Sequence, residues 1–594
     1  MFFSAVHADG QYQASTFQNR LHELIHTGEN SDPYFFLPWD ASHWLDLAMI
    51  ELREESEASG MLKRLIKRSN RFHAMFARGR GHVEYKGLAE SLNFKARETV
   101  TFATTRFTSS AYDQWTKIYC SYKALITAYC QTRQEEDNEN DETRYQIRGQ
   151  DFAIDLCGIL DILKPAIILM IKCQALSVAP WKIISWFPRV IDSIERIKQH
   201  LCDVRDGKIE APSVDILPLL GKHWSELTEE PIEECTFQGM QVVEGWLVVG
   251  QTSCSGADQE RRKAKRQVTY DWSARNPSDC VEELIVLCRE LMHIAKRRYD
   301  SIIPSDIKKL AKVFEVEDLI AELSVFKIES NKLSVEPADK EIWEKGGAPQ
   351  FDHFFKYVCR LPHVQELLNS NRLLDLMAHS SEIVFRRFKR TLVSIFWQGL
   401  GGVTHRMFLD EKDAPVTLFA SEQLQELSVV EKMGLDRWFD LKFNSGATVT
   451  ARLDEAFFWK ALYTNADIFK SLGQEMSISI DVAMSGSGCE AIVEGFYSVV
   501  KNHKKSGRQS NEVLTHRAIV DWCIPHPISS PATMLEIARI FVDGNEQFGL
   551  PKHRVNVFTD ERARAFSRFS ISKVVDRIKV EEPRCPFIVK QELN

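Results

Sequence analysis

At 594 residues, with 44% apolar and 27% charged side chains, the chain is too long for one ordinary domain, and two or three packed units are expected. A formal charge of −8 excludes a protein that coats nucleic acid by bulk electrostatics, although local basic faces remain possible. Thirteen cysteines with no Cys-x-x-Cys pair exclude a disulfide framework and are expected to be reduced thiols in an intracellular protein. The start lacks the pattern of a signal peptide and no apolar run reaches the length of a membrane span, so a membrane is not expected as partner; a small-molecule substrate is not expected either.

The first predicted element is a short strand, Phe2 to Val6, ending in Asp9-Gly10, with a helix following over 13–26. An Asp-Gly between strand and helix places a carboxylate at the end of a sheet, where open sheets hold ligands; it is also an ordinary turn pair. Within that helix His22-Glu23-Leu24-Ile25-His26 matches His-Glu-x-x-His, which on a helix brings two histidines to one face and could bind zinc with Glu23 as base. Next comes Leu37-Pro-Trp-Asp40-Ala-Ser-His43-Trp-Leu-Asp46-Leu47. His43 fits either a core or helix-start position or a functional one.

Residues 60–80 predict a helix with separated faces. Lys63, Arg64, Lys67, Arg68 and Arg71 lie within less than a half-circle, opposite Leu65, Ile66, Phe72 and Phe76. Cations without an intervening acid suit phosphate contact, and a solvated face is the alternative. Thr105-Arg106-Phe107-Thr108-Ser109-Ser110 follows, and taken alone it reads as a core Phe beside a surface Arg.

The acidic run 135–142 reads as a loop, and beyond it the periodicity is helical over 151–174 (with Pro165 inside), 180–201, 280–299 and much of 351–408. The basic run Arg261–Arg266 suits a nuclear-import signal or a DNA tether. Alternation of Met476, Ile478, Ile480 and Val482 predicts a strand over 474–482. A Gly/Ser break follows, then a helix whose start Ser487 and Glu490 would cap, with Ile492, Phe496, Val499 and Val500 on the buried stripe. Glu494 is on the opposite face, one turn deeper than any cap requires.

Taken together, four of these segments resemble motifs of the hAT superfamily of DNA transposases. Glu494-Gly-Phe-Tyr-Ser498 is similar to the family's C-terminal Glu-Arg-x-Phe-Ser signature, with Gly495 in place of Arg. Asp9-Gly10 resembles the context of the second Asp of the Asp-Asp-Glu triad. The 37–47 segment resembles Cys-x-x-His-x-Leu-Asn-Leu, with Asp40 for the Cys and Asp46 for the Asn. The 105–110 segment resembles Thr-Arg-Trp-Asn-Ser. The resemblance implies a mostly α fold with a small sheet, in which a partial ribonuclease-H-like core is interrupted by a large all-helical insertion domain. It implies core pieces at 1–100 and 474–545, an insertion at 101–473 and a polar, basic tail at 546–594.

It further implies Mg²⁺ held by Asp9 and Glu494, DNA contacts through Arg106 and Phe107, a homodimer through Phe496, Val499 and Val500, and a nuclear location. Eight residues precede Asp9 and none is Asp or Glu; no BED-type zinc finger precedes it either. The expectation is therefore a truncated or domesticated relative with an incomplete two-metal site, inactive by itself in strand transfer. A non-catalytic scaffold and a zinc peptidase built on His22 and His26 are the competing classes.

Overall fold

A computed structural model describes residues 20, 41–91, 96–100, 107–132, 142–173, 179, 181–245, 275–302, 305–361, 364–365, 379–403, 405–416 and 422–484. The chain divides into two compact units, Met1–Glu490 and Ala491–Asn594, and the described residues all belong to the first.

Nine helices and a two-stranded ribbon among the described residues build a first apolar core. They are α1 (Ala41–Glu54), α2 (Ser59–Phe76), α3 (Gly79–Ser91), α4 (Phe107–Thr132), α5 (Glu142–Arg148), α6 (Gln150–Cys173), α7 (Lys182–Arg205), α8 (Pro218–Leu227) and α9 (Pro277–Ile302), with β1 (Thr236–Phe237) paired to β2 (Met240–Gln241) between α8 and α9. Helix α6 is the centre. It is apolar nearly all round and buried along most of its length, as a helix enclosed by others must be. Phe152 on it stacks on Phe72 of α2 with ring centroids 5.8 Å apart, and Phe72 in turn meets Tyr122 of α4. Gly158 lets α9 approach α6 closely, because a Cβ there would collide with Leu284. Phe187 of α7 lies flat on Tyr299 of α9, 4.0 Å between centroids. Elements on both sides of residue 100 thus share one core.

The second core belongs to α10 (Ser305–Phe314), α11 (Val316–Glu322), α12 (Pro337–Lys345), α13 (Ala348–Arg360), α14 (Ser381–Gln398), α15 (Glu455–Thr464), α16 (Ala466–Leu472) and α17 (Gln474–Met484) around a six-stranded sheet. The strands are β3 (Lys327–Glu329), β4 (Lys332–Ser334), β5 (Phe408–Leu409), β6 (Leu424–Val430), β7 (Trp438–Phe443) and β8 (Thr448–Leu453), in the order β4-β3-β6-β7-β8-β5, every pairing antiparallel. Phe439, Leu441 and Phe443 alternate inward along β7. On the opposite face Trp438 stands beside Val430 and Arg452, and Asp440 beside Ser428 and Thr450. This polar-out, apolar-in alternation is what a sheet with one solvated face requires. Side-chain caps fix the helix starts nearby. Asp454 accepts from the Phe457 amide at α15, and Asn465 accepts from Asp467 and Ile468 at α16.

A mostly helical chain with a small amount of sheet is what the sequence led us to expect; that the sheets are antiparallel is a finding. Two expectations need correction. The region 101–473, expected as an all-helical insertion, holds both sheets of the described residues, and the alternation along β6 to β8 is the signature of the larger one. The strand expected over 474–482 is the helix α17. Its alternating Met476 and Ile480 are also one helical turn apart and are buried together with Ala483, while Ser477 and Ser479 bond back to the carbonyls of Gly473 and Glu475, four residues earlier. Period two and period 3.6 share the i, i+4 positions, and in this segment the helical partners win.

Candidate nucleic-acid interface

Helices α1, α2 and α4 carry or adjoin three of the segments singled out in the sequence. Asp46, in the middle of α1, turns its carboxylate onto the first turn of α4, where Oδ1 accepts the Thr108 amide at 2.8 Å. Both residues are buried, 4% and 1% exposed. The first amides of a helix lack intrahelical partners and sit at the positive end of its dipole, so a carboxylate from a neighbouring helix satisfies both demands. Asp46 and Thr108, 62 positions apart in the chain, are therefore adjacent in the fold.

The chain entering this site is held from the other side as well. His73 of α2 bonds the Thr99 carbonyl through Nδ1 at 2.9 Å, and Tyr85 of α3 both donates to the Arg97 carbonyl and accepts its amide at 3.0 Å. On α4 itself, Gln114 donates to Asn70 of α2 at 3.0 Å. The backbone before and after 101–106 is thereby anchored to α2, α3 and α1.

Helix α2 presents its cations unequally. Lys63 and Lys67 are exposed, one turn apart, and no Asp or Glu occurs anywhere between 58 and 83. Arg71 follows a turn later, half-buried. Arg64 instead turns to Glu283 of α9. Arg68 is 5% exposed and lies inside the protein, which corrects its expected place on an outward cationic face. Its Nη1 and Nη2 each donate to Asp151 at 2.7 Å, Nε to the Gln146 carbonyl and Nη2 also to the Tyr145 carbonyl. Arg275 joins the same cluster, bonding Asp151 at 3.0 Å, Asp155 at 2.5 Å, and Glu283.

Burial alone would raise the Asp151 carboxyl, but Arg68 and Arg275 hold it below its ordinary range; Asp155, buried and less well served, is pushed up to about 6. Gly149 and Gly245 make room for this cluster, since a side chain at either would run into Arg68 or Asp151. No sequence signal pairs Arg68 with Asp151, 83 positions away. Its spacing does reveal the burial: Arg68 follows Leu65 by three residues and precedes Phe72 by four, which is the apolar stripe of α2.

For the remaining residues expected at a site, Asp40 lies outside the described residues, and so do His22, Glu23, His26, Arg106, Asp9, Glu494, Phe496, Val499 and Val500. His43 and Phe107 fall within α1 and at the start of α4, with side chains outside the described set. Among the described residues no group of three or more His, Cys, Asp or Glu side chains could hold a metal ion, and no helix is long and apolar enough to cross a membrane. No family model, curated protein or solved structure matches the chain.

Proposed function

We propose that the chain is a transposase-like protein of the hAT type that binds DNA. In this reading Lys63 and Lys67 meet backbone phosphates from the outward face of α2. Arg106 and Phe107, at the threshold of α4, supply a phosphate contact and a stacking ring. The observation that supports the proposal is the Asp46–Thr108 bond, which sets α1 against the start of α4 beside the basic α2.

Asp9 and Glu494 would be the metal carboxylates, and Phe496, Val499 and Val500 would pair two chains. Binding and dimerisation would be its working functions in the nucleus, with Arg261–Arg266 as the import signal, and Mg²⁺ would be the ion those carboxylates hold.

Placing a photo-crosslinking phenylalanine analogue at position 107 tests this reading. Ultraviolet light should link the full chain to duplex DNA with an unpaired or mismatched base, and excess unlabelled duplex should compete the link away. Crosslinking no greater than from an analogue placed at Val214, an exposed residue preceding α8, would remove the proposed interface.

A further inference from the structure

The two apolar cores meet across a junction built from charge. Trp181, at the threshold of α7, packs in the second core against Phe314 and Trp459, while Trp186 and Phe187, a turn further along, belong to the first. Lys182 sits between them, 1% exposed. From the other side the tip joining β6 to β7 reaches back, and its Leu435 is buried in the first core.

The ion pairs described across this junction run one way. The cations Lys172, Lys182, Arg189 and Arg196 come from α6 and α7; the anions Glu315, Glu317, Asp318, Glu431, Asp436 and Glu455 come from the second core. Three of the carboxylates converge on Lys182 Nζ: Glu315 at 2.6 Å, Glu455 at 3.0 Å and Glu317 at 3.3 Å. Arg189 shares Glu317 at 2.6 Å and also donates to the Leu435 carbonyl. Around them, Arg437 pairs with Asp318 at 2.6 Å, while Arg452 lies 3.8 Å from Asp436, the partner of Lys172.

Arg189 Nη2 and Asp318 Oδ1 face each other at 3.7 Å, and one carboxylate oxygen among the partners of Lys182 is left without a hydrogen. Glu317 is engaged by Arg189, and Glu455 accepts the Trp459 indole N–H through Oε1. Glu315 gives Oε1 to Lys182 and to the Glu317 amide, but its Oε2 is buried with no hydrogen-bond partner. A buried carboxylate oxygen without a donor is costly as an anion and satisfied as a hydroxyl, which can donate to a neighbouring carboxylate.

We infer that this junction is a proton-responsive joint between the two cores, in which a proton on Glu315 Oε2 completes the buried cluster and holds the cores together, and its loss loosens them. The inference does not depend on the nucleic-acid reading. Burial raises the Glu315 carboxyl, Lys182 opposes the rise, and Glu455 and Glu317 restore it, leaving it at about 7. Lys182 keeps its charge, because the three carboxylates outweigh its burial.

In an opened joint water surrounds Glu315 and its ordinary value of 4.5 returns. Between those two values the closed form binds more protons than the open one. Closure is therefore strengthened as pH falls through about 7 and is weakened as pH rises through it. From pH 8 to pH 6 the ratio of closed to open should rise about tenfold.

Hydrogen–deuterium exchange on the full chain, corrected for the intrinsic pH dependence of exchange, reads this directly at the amides of α11 and α15. The wild-type chain should show about tenfold greater protection there at pH 6 than at pH 8. Glu315→Gln, a neutral isostere that keeps the acceptor for Lys182 and adds the missing donor, should be protected equally at both pH values, at the wild-type pH 6 level. Equal protection of the wild-type chain at the two pH values would overturn the inference. A pH dependence that survives in Glu315→Gln would do so too, as would a Glu315→Gln chain that does not fold.

Discussion

Asp46 Oδ1 and the Thr108 amide are 2.8 Å apart, and this one bond fastens the middle of α1 to the first turn of α4. It is buried and bridges two segments distant in sequence, so its loss removes both a helix cap and a tertiary contact. Asp46→Ala should lower the stability of the chain by about 2 kcal/mol, measured as a shift in the urea midpoint. Asp46→Asn keeps an acceptor at the same place and should cost about 1 kcal/mol or less.

The Arg68–Asp151 pair is enclosed, and its members cannot be removed singly without leaving a buried charge. Asp151→Asn should destabilise by about 3–5 kcal/mol, because Arg68 loses the carboxylate it is paired with and Arg275 loses one of its three. Replacing both partners with apolar residues, Arg68→Met with Asp151→Leu, should cost clearly less than the two single changes added together. A double-mutant cycle in urea supplies the comparison.

Asp161 offers a pH test on a different element. Its carboxylate accepts the amides of Leu219 and Leu220 at the start of α8, at 3.0 to 3.2 Å. Burial nevertheless pushes it up to about 7; the two amides and Lys164 pull the other way without cancelling it. Because the folded value is raised above the ordinary 3.8, the folded chain holds the extra proton between about 4 and 7. Stability from this group is present at the acid end of that window and is lost as pH rises through about 7, with a slope on the order of 1 kcal/mol per pH unit. Asp161→Asn should remove that component, and the difference between the two stability–pH curves between pH 5 and pH 7 measures it.

Thiol chemistry should sort by burial. Cys120 and Cys130 are exposed on α4, whereas Cys157, Cys280 and Cys288 are buried and burial raises their thiols well above the ordinary value. Brief alkylation of the native chain followed by peptide mass analysis should label the first two. The other three should react only after unfolding. Labelling of Cys157 at the rate of Cys120 would contradict the enclosure of α6.

The long helices were legible because a period of 3.6 sustained over five or more turns has few competitors: α2, α6, α7 and α9 follow the apolar stripes of the sequence. Pro165 and Pro188 lie inside α6 and α7 without ending either helix. The short strands were less legible, since each carries only two or three inward residues, such as Ala451 and Leu453 of β8. Helix α17 was misread for the reason that Met476 and Ile480 serve either period. The segments around Asp46, Lys63 and Thr108 were legible, but their arrangement was not. That Asp46 caps α4, and that Arg68 is inside while Lys63 and Lys67 are outside, depends on partners 62 and 83 positions away. Distant ion pairs leave no mark on local composition.

The central claim is that α2 faces DNA through Lys63 and Lys67, and salt dependence tests it most directly. Fluorescence anisotropy of a labelled duplex, titrated with the full chain at several salt concentrations, gives the slope of log affinity against log salt. Each phosphate contact contributes about 0.9 to that slope. Lys63→Ala/Lys67→Ala should weaken binding to all duplexes alike and flatten the slope by about 2. Affinity and slope identical to those of the wild-type chain would contradict the account.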